Sequence, residues 1–319
     1  MIIALAGGVG GAKLVDGLAA VLPPAELLAV VNTGDDFDHL GLRVCPDLDT
    51  VMYTLAGRAN PETGWGLAGE SWQFMQALER LGGETWFRLG DQDLATHVRR
   101  TGLLAQGRTL SEVTASLCAA LGVAHRVLPM SDDPVRTMVR IDEGEIGFQD
   151  YFVRRHCEPV LRGLRYAGAE AARPAPGLLQ ALGDARLRAI VLCPSNPYLS
   201  IAPLLAMPGM RERLRAARVP VVAVSPIVGG QAIKGPAAKI MRELGHAPSA
   251  LEVARHYRGL VDGCVLDHAD AALSEDVAAL GIAPLVTATV MHAREDRARL
   301  AQEVLAFAHQ VAANPPGAR

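Results

Sequence analysis

Ile2-Ile3-Ala4-Leu5-Ala6-Gly7-Gly8-Val9-Gly10-Gly11-Ala12-Lys13 is the stretch on which the fold turns. Five apolar residues run without alternation into a glycine loop, and residues 12–22 then carry apolar side chains at helical spacing. A short apolar run bounded by glycine reads as a strand buried on both faces, and the change of period after it reads as a helix. Leu27–Val31 repeats the run and ends at Asn32-Thr33-Gly34-Asp35-Asp36. Strand, loop, helix and strand in that order open a parallel βαβ sheet.

Working outward, residues 50–122 read mainly as helices, over 50–55, 71–81, 94–104 and 110–121. The period shortens to two over 137–141 and 146–149, on either side of Glu143-Gly144, which predicts a hairpin. Alternation of strand and helix resumes at residue 189, with strands expected at 189–193, 219–224, 263–266 and 285–286. The expected fold is α/β: one domain over 1–319, with a doubly wound, mostly parallel Rossmann-like sheet. Its nucleotide-binding core spans about 1–50 and 185–310, and a mainly helical and hairpin subdomain is inserted at about 51–180. Pro315-Pro316-Gly317 reads as a disordered tail.

A formal charge of −3 and the lack of any long basic run argue against nonspecific nucleic-acid binding. Five cysteines, odd in number and never in a C-x-x-C pair, predict reduced thiols rather than a disulfide framework or a cysteine zinc site. The start of the chain lacks a basic region and a long apolar stretch, so a cytoplasmic location is expected, without membrane contact. A homodimer is expected as well, although a packed core explains the apolar helices equally well.

Ligands of open parallel sheets bind beyond the carboxyl ends of the strands. Four loops there are polar and rich in glycine or proline: 7–13, 32–36, 194–197 and 225–230. The first combines close backbone approach with a helix N-terminus, which suits phosphate. It departs from the dinucleotide fingerprint, because Lys13 stands where the last glycine belongs, and from the Walker pattern. Lys13 either adds charge to the loop or lies solvated on the helix. If residues 47–49 are extended, Asp47 and Asp49 face one side together and, with Asp35, form an oxygen-rich set suited to magnesium. The competing reading makes Asp49 a helix cap and Asp35 and Asp36 turn residues. His39, His97 and His292 show no ligand spacing and read as ordinary core or surface histidines.

The ordered motifs Gly7–Gly11, Val31–Asp36, Pro46–Thr50, Leu89–Asp93 with Ala95-Thr96-His97, Leu128–Asp133, Phe148-Gln149-Asp150, Pro194–Pro197 and Val224–Ile227 resemble the 2-phospho-L-lactate transferase family (CofD/FbiA) of coenzyme F-420 biosynthesis. The resemblance runs through nearly the whole chain. It implies a magnesium-dependent enzyme that moves a phospho-acid group from its guanosine diphosphate ester to 7,8-didemethyl-8-hydroxy-5-deazariboflavin, releasing GMP. Val44-Cys45-Pro46 and Gly64-Trp65-Gly66 are similar to bacterial members, so phosphoenolpyruvyl is the first expectation for the group moved, ahead of phospholactyl and phosphoglyceryl.

By motif, the resemblance implies catalytic roles for Asp35 and Asp49, deazaflavin contacts from Asp49 and Arg88, and metal ligation by Asp35, Asp49 and, most weakly, Asp47. It also implies that Gly8, Gly10, Gly11, Lys13, Ser195, Asn196 and Ser225 hold the guanosine diphosphate moiety. Arg88 stands where some members carry lysine, and Gly229-Gly230-Gln231 departs from the archaeal pattern. The alternatives are a nucleotide-binding regulator of the gluconeogenesis-factor type, which shares the glycine loop, and an NAD-dependent oxidoreductase, which the broken fingerprint disfavours.

Overall fold

The computed structural model describes residues 1–314; the 315–317 tail motif lies outside them. The chain opens with β1 (Ile2–Ala6), α1 (Gly8–Val21) and β2 (Leu27–Val31), as the apolar runs predict. A small hairpin, β3 (Phe37–His39) and β4 (Leu42–Val44), precedes four helices: α2 (Pro46–Leu55), α3 (Gln73–Arg80), α4 (Asp91–Ala105) and α5 (Leu110–Ala120). Then come β5 (Arg126–Pro129), the hairpin strands β6 (Arg136–Ile141) and β7 (Gly144–Gly147), β8 (Gly163–Ala167) and α6 (Pro176–Leu182). The second half carries β9 (Ala189–Leu192), α7 (Ala202–Leu205), α8 (Met210–Ala216), β10 (Val221–Val224), the short pair β11 (Ile227–Val228) and β12 (Gln231–Ala232), and α9 (Ala237–Glu243). It closes with α10 (Ala250–His256), β13 (Gly263–Asp267), α11 (Ser274–Ala279), β14 (Ala283–Thr287) and α12 (Arg294–Ala313).

Seven strands form one sheet in the order β14-β13-β10-β9-β1-β2-β5, and every neighbouring pair is parallel. The chain winds outward from β1 to β2 and β5, then returns to the other side of β1 and winds outward again. The direction of winding therefore reverses between β1 and β9, the point at which open parallel sheets take ligands beyond their carboxyl edge. Strands β1 and β2 are buried along their whole length. Ile3, Leu5, Leu28 and Val30 pack into the core on one face, while Ile2, Ala4, Leu27, Ala29 and Val31 pack into the core on the other. Covering both faces is what demands the uninterrupted apolar runs.

One boundary needs correction. The stretch 51–180 is not wholly an insertion, because β5 pairs with β2 and forms the edge of the main sheet. Its run is short and begins at an exposed arginine, Arg126, so periodicity alone does not mark it. The predicted hairpin is present and gains a third strand, β8, on the far side of β6. All five cysteines are free, and no helix among the described residues is long and apolar enough to cross a membrane.

Helix α12 seals one face by packing along α1. Asp16 of α1 is buried and accepts a hydrogen bond from Arg297 at 3.0 Å. At the next position a Cβ on Gly17 would collide with the backbone carbonyl of Arg297. Gly17→Ala is expected to push the helices apart and destabilise the fold by about 1–3 kcal/mol, the usual cost of overpacking. Denaturant unfolding checks this; an unchanged midpoint would show that α12 shifts without cost.

Candidate functional site

Three loops at the carboxyl edge are tied together by side chains. Asp47 accepts the Gly8 amide on Oδ1 at 2.7 Å and the Asn32 side-chain amide on Oδ2 at 2.9 Å. Asn32 in turn accepts the Gly34 amide at 2.8 Å, which shapes the loop leading to Asp35 and Asp36. On the other side of β1, the Ser195 hydroxyl accepts from the Gly7 amide at 3.0 Å and donates to the Gly7 carbonyl at 2.9 Å. A Cβ on Gly10 or Gly11 would run into the Pro194 carbonyl or the Ser195 hydroxyl. Those two glycines thus let the β1 and β9 loops touch.

The extended geometry expected for residues 47–49 does not hold. Both aspartates lie in the first turn of α2, whose N-cap is Cys45, so Asp49 is not a cap either. Residues two apart on a helix point to different sides. Asp47 faces the glycine loop, and Asp49 faces α4, where Arg100 grips both its oxygens. His97 lies 3.7 Å from Asp49 on one ring nitrogen and 3.4 Å from Asp93 on the other. The Tyr53 hydroxyl donates to Asp93 at 2.6 Å.

Burial pushes the Asp49 carboxyl above its ordinary range, against the pull of Arg100 and His97. Burial also acts on Asp93, but hydrogen bonds from His97 and Tyr53 hold it below that range. His97 was read as ordinary from spacing. Its two carboxylates come from different helices, and no linear pattern reveals that. Asp49, Asp93 and His97 offer three ligand atoms in one place, but Arg100 already neutralises Asp49, so a cation there would compete with a buried guanidinium.

Asp35 differs from Asp49 in having no cation beside it. It is buried, its Oδ1 has no hydrogen-bond partner, and its carboxyl is pushed well up by burial, then by the neighbouring charges of Asp47 and Asp36. Burial raises Asp47 to about 6 and Asp36 to about 7. Beside them lies a cavity of about 190 Å³, walled by Asp35, Asp36, Phe37, Trp86, Phe148 and Gln149. Its aromatic wall continues through Phe87, edge-on to Phe37 at 4.8 Å, and His39, edge-on to Trp86 at 5.0 Å. Of these aromatics only Phe148 belongs to a sequence motif, Phe148-Gln149-Asp150; Phe37 and Trp86 are isolated along the chain and carry no spacing signal.

The remaining candidates separate. Asn196 caps the following turn through Oδ1 at 3.0 and 3.2 Å, while its Nδ2 is buried without a partner. Ser225 is used within its own loop, donating to the Ile227 carbonyl and accepting its amide. Lys13 donates to the Met291 carbonyl at 2.6 Å, and its pKa is lowered by burial and by the nearby charges of Arg297 and Lys234. Lys234, absent from the sequence candidates, reaches across to the Thr63 carbonyl at 3.0 Å. Arg88 is exposed, with its guanidinium 4.3 Å from the Trp72 ring centre, and does not wall the aromatic cavity.

A doubly wound sheet with a glycine loop and buried acidic residues at its carboxyl edge defines an α/β protein whose ligand site is expected beyond the strand ends. Residues 2–304 match the family model described as 2-phospho-L-lactate transferase CofD. Similar curated proteins include a phosphoenolpyruvate transferase of Streptomyces griseus, 45% identical over 98% of this chain and 99% of that protein. They also include a 2-phospho-L-lactate transferase of Methanococcoides burtonii, 37% identical over 96% and 98%. A UPF0052-family crystal structure from Bacillus halodurans shares the fold, with a TM-score of 0.60 at 16% identity, covering 95% of this chain and 98% of that one. The chain belongs to the CofD family, and it is an enzyme, a transferase.

Two outcomes follow from the buried charges. Arg100→Ala leaves Asp49 charged and unpaired, and should cost about 3–5 kcal/mol. The double variant Asp49→Leu with Arg100→Met should recover most of it in urea unfolding; no recovery would mean that other bonds of Arg100 carry the effect.

Asp36 concerns pH. Its pKa of about 7 in the fold exceeds the ~3.9 of an unfolded aspartate, so the folded chain holds the extra proton between those values. Its contribution is therefore most favourable at low pH and fades as pH rises toward 7. Asp36→Asn should melt like the native chain near pH 4 and above it at pH 8. A constant difference across pH would contradict this.

Proposed function

We propose that the chain transfers a phospho-acid group from its guanosine diphosphate ester to the ribityl hydroxyl of 7,8-didemethyl-8-hydroxy-5-deazariboflavin, releasing GMP, in coenzyme F-420 biosynthesis. The phosphoenolpyruvyl ester is the first donor, in line with the name of the Streptomyces griseus relative. The observation that carries the reading is the buried Asp35 carboxyl, whose Oδ1 has no hydrogen-bond partner, beside Asp47 and set between the glycine loop and an aromatic-walled cavity.

Hard oxygen donors of like charge, one lacking a partner, fit a divalent cation better than an empty site. Asp35 and Asp47 would hold magnesium, whose chemistry when bound is to neutralise charge on the diphosphate. Asp49 takes a positioning role, because Arg100 occupies its oxygens and fixes α2 against α4.

The N-terminal end of α1 favours the negative diphosphate, and the free Nδ2 of Asn196 is a donor at the crevice between β1 and β9. Phe37, Trp86 and Phe148 supply flat apolar surface for a tricyclic acceptor. In the transfer, the acceptor oxygen bonds to the phosphorus that carries the acid group, the bond from that phosphorus to the GMP oxygen breaks, and the hydroxyl proton is lost to solvent. Such transfer rests on positioning and charge stabilisation.

The chain mixed with magnesium, the deazaflavin and each of the three donors should yield the enolpyruvyl product fastest, identified by mass. Asp35→Asn should lower its rate by about 100-fold or more. No product from any donor would overturn the reading. Light scattering measures the homodimer that accompanies it.

A further inference from the structure

A second cavity, of about 170 Å³, lies on the β5 side of the acidic loop and shares Asp36 and Arg136 with the aromatic one. Its lining sets it apart from the aromatic cavity, since Arg43 and Arg136 stand on its wall beside Thr33 and no aromatic ring does. Its carboxylates are mostly engaged. Asp132 accepts the Ser111 amide at 2.7 Å, and Asp133 accepts the Arg173 amide at 2.9 Å. Arg43, on the same wall, pairs with Asp38 at 2.9 Å.

Arg136 is the exception. It is half-buried and donates to the neighbouring Val135 carbonyl at 3.0 Å, and among the described residues no carboxylate lies within ion-pair distance of it. Two further polar atoms of the wall, Thr33 Oγ1 and Asp36 Oδ1, are buried without partners. Thr33 is 2% exposed and Asp36 likewise 2%. Buried polar atoms without partners are uncommon in folded proteins, and two of them beside a half-buried guanidinium that makes no ion pair call for a ligand that engages all three groups.

A planar guanidinium with free donors matches a carboxylate in two-pronged fashion. Thr33 can donate to the same group.

We propose that Arg136, with Thr33, receives the carboxylate of the transferred phospho-acid and so determines donor specificity. This rests on the proposed transfer reaction for the identity of the acid, and on the cavity alone for the recognition of a small carboxylate. The shared wall at Arg136 and Asp36 puts that carboxylate next to the acidic loop, so the phosphorus it accompanies faces the aromatic cavity. A guanosine diphosphate ester without a carboxylate would leave Arg136 unpaired, and the site would reject it for that reason.

The first test needs no turnover. Calorimetry with GMP present compares free phosphoenolpyruvate with inorganic phosphate. The native chain should bind phosphoenolpyruvate at least about 10-fold more tightly than phosphate, Arg136→Gln should lose that difference, and Arg136→Lys, which keeps the charge without the fork, should keep part of it. Equal binding of the two anions by the native chain, or an undiminished difference in Arg136→Gln, would overturn the proposal.

The second test measures the ratio of kcat/KM for the enolpyruvyl donor over the ethyl ester of guanosine diphosphate. The native ratio should be on the order of 100 and fall toward one in Arg136→Gln; an unchanged ratio would overturn the proposal. Should no donor react at all, the transfer reading falls while the calorimetric arm still decides the role of Arg136. Arg136→Lys guards against misfolding of the glutamine variant, and the melting temperature of each is compared with the native value.

Discussion

Asp47 joins the loops leaving β1 and β2 by accepting the Gly8 amide on one carboxylate oxygen and the Asn32 side chain on the other. Neither loop has a regular ladder to hold it beyond the sheet edge, and both must expose backbone amides where a ligand arrives. A buried carboxylate with both oxygens occupied makes that arrangement rigid, since loosening it would strand a desolvated charge. Burial raises the Asp47 carboxyl to about 6 even with these bonds. The brace thus holds the site together and leaves negative charge beside it.

That leftover charge separates the aspartates by role. Asp49 and Arg100 form a buried pair whose net contribution to stability is small but whose disruption is costly. It fixes α2, and with it Asp47, against α4. Asp35 has no such partner, and the charges around it are of its own sign. A buried carboxyl in such surroundings either keeps its proton or is compensated by an ion or ligand. On the opposite wall of the acidic loop, Arg136 is the complementary case of a half-buried cation that makes no ion pair among the described residues, with Asp36 as its strongest-acting negative charge.

The apolar runs, the glycine loop and the polar strand ends were legible because a sheet covered on both faces imposes a linear pattern: every residue of β1 and β2 must be apolar, and the break into glycine must be abrupt. Strand β5 was missed because an edge strand is held by one neighbour, and its four residues carry no such run. Strand β8, whose residues are only partly covered, left no alternation to read. At the site, the acidic loop and Asn196 could be found in order along the chain. Arg100, His97, Trp86 and Arg136 could not, because their significance lies in contacts between segments far apart in sequence.

The sequence by itself determined the class of sheet, the loops that edge its crevice and the presence of several aspartates near them, since local periodicity and backbone chemistry act over a few residues. Tertiary structure decided which aspartate does what. Helix α2 begins at Pro46 rather than after Asp49, and that turns Asp47 toward the glycine loop and Asp49 toward Arg100. Whether a carboxylate is braced, paired or unpartnered depends on which distant group folding brings within about 3 Å of it, and spacing along the chain carries no record of that distance.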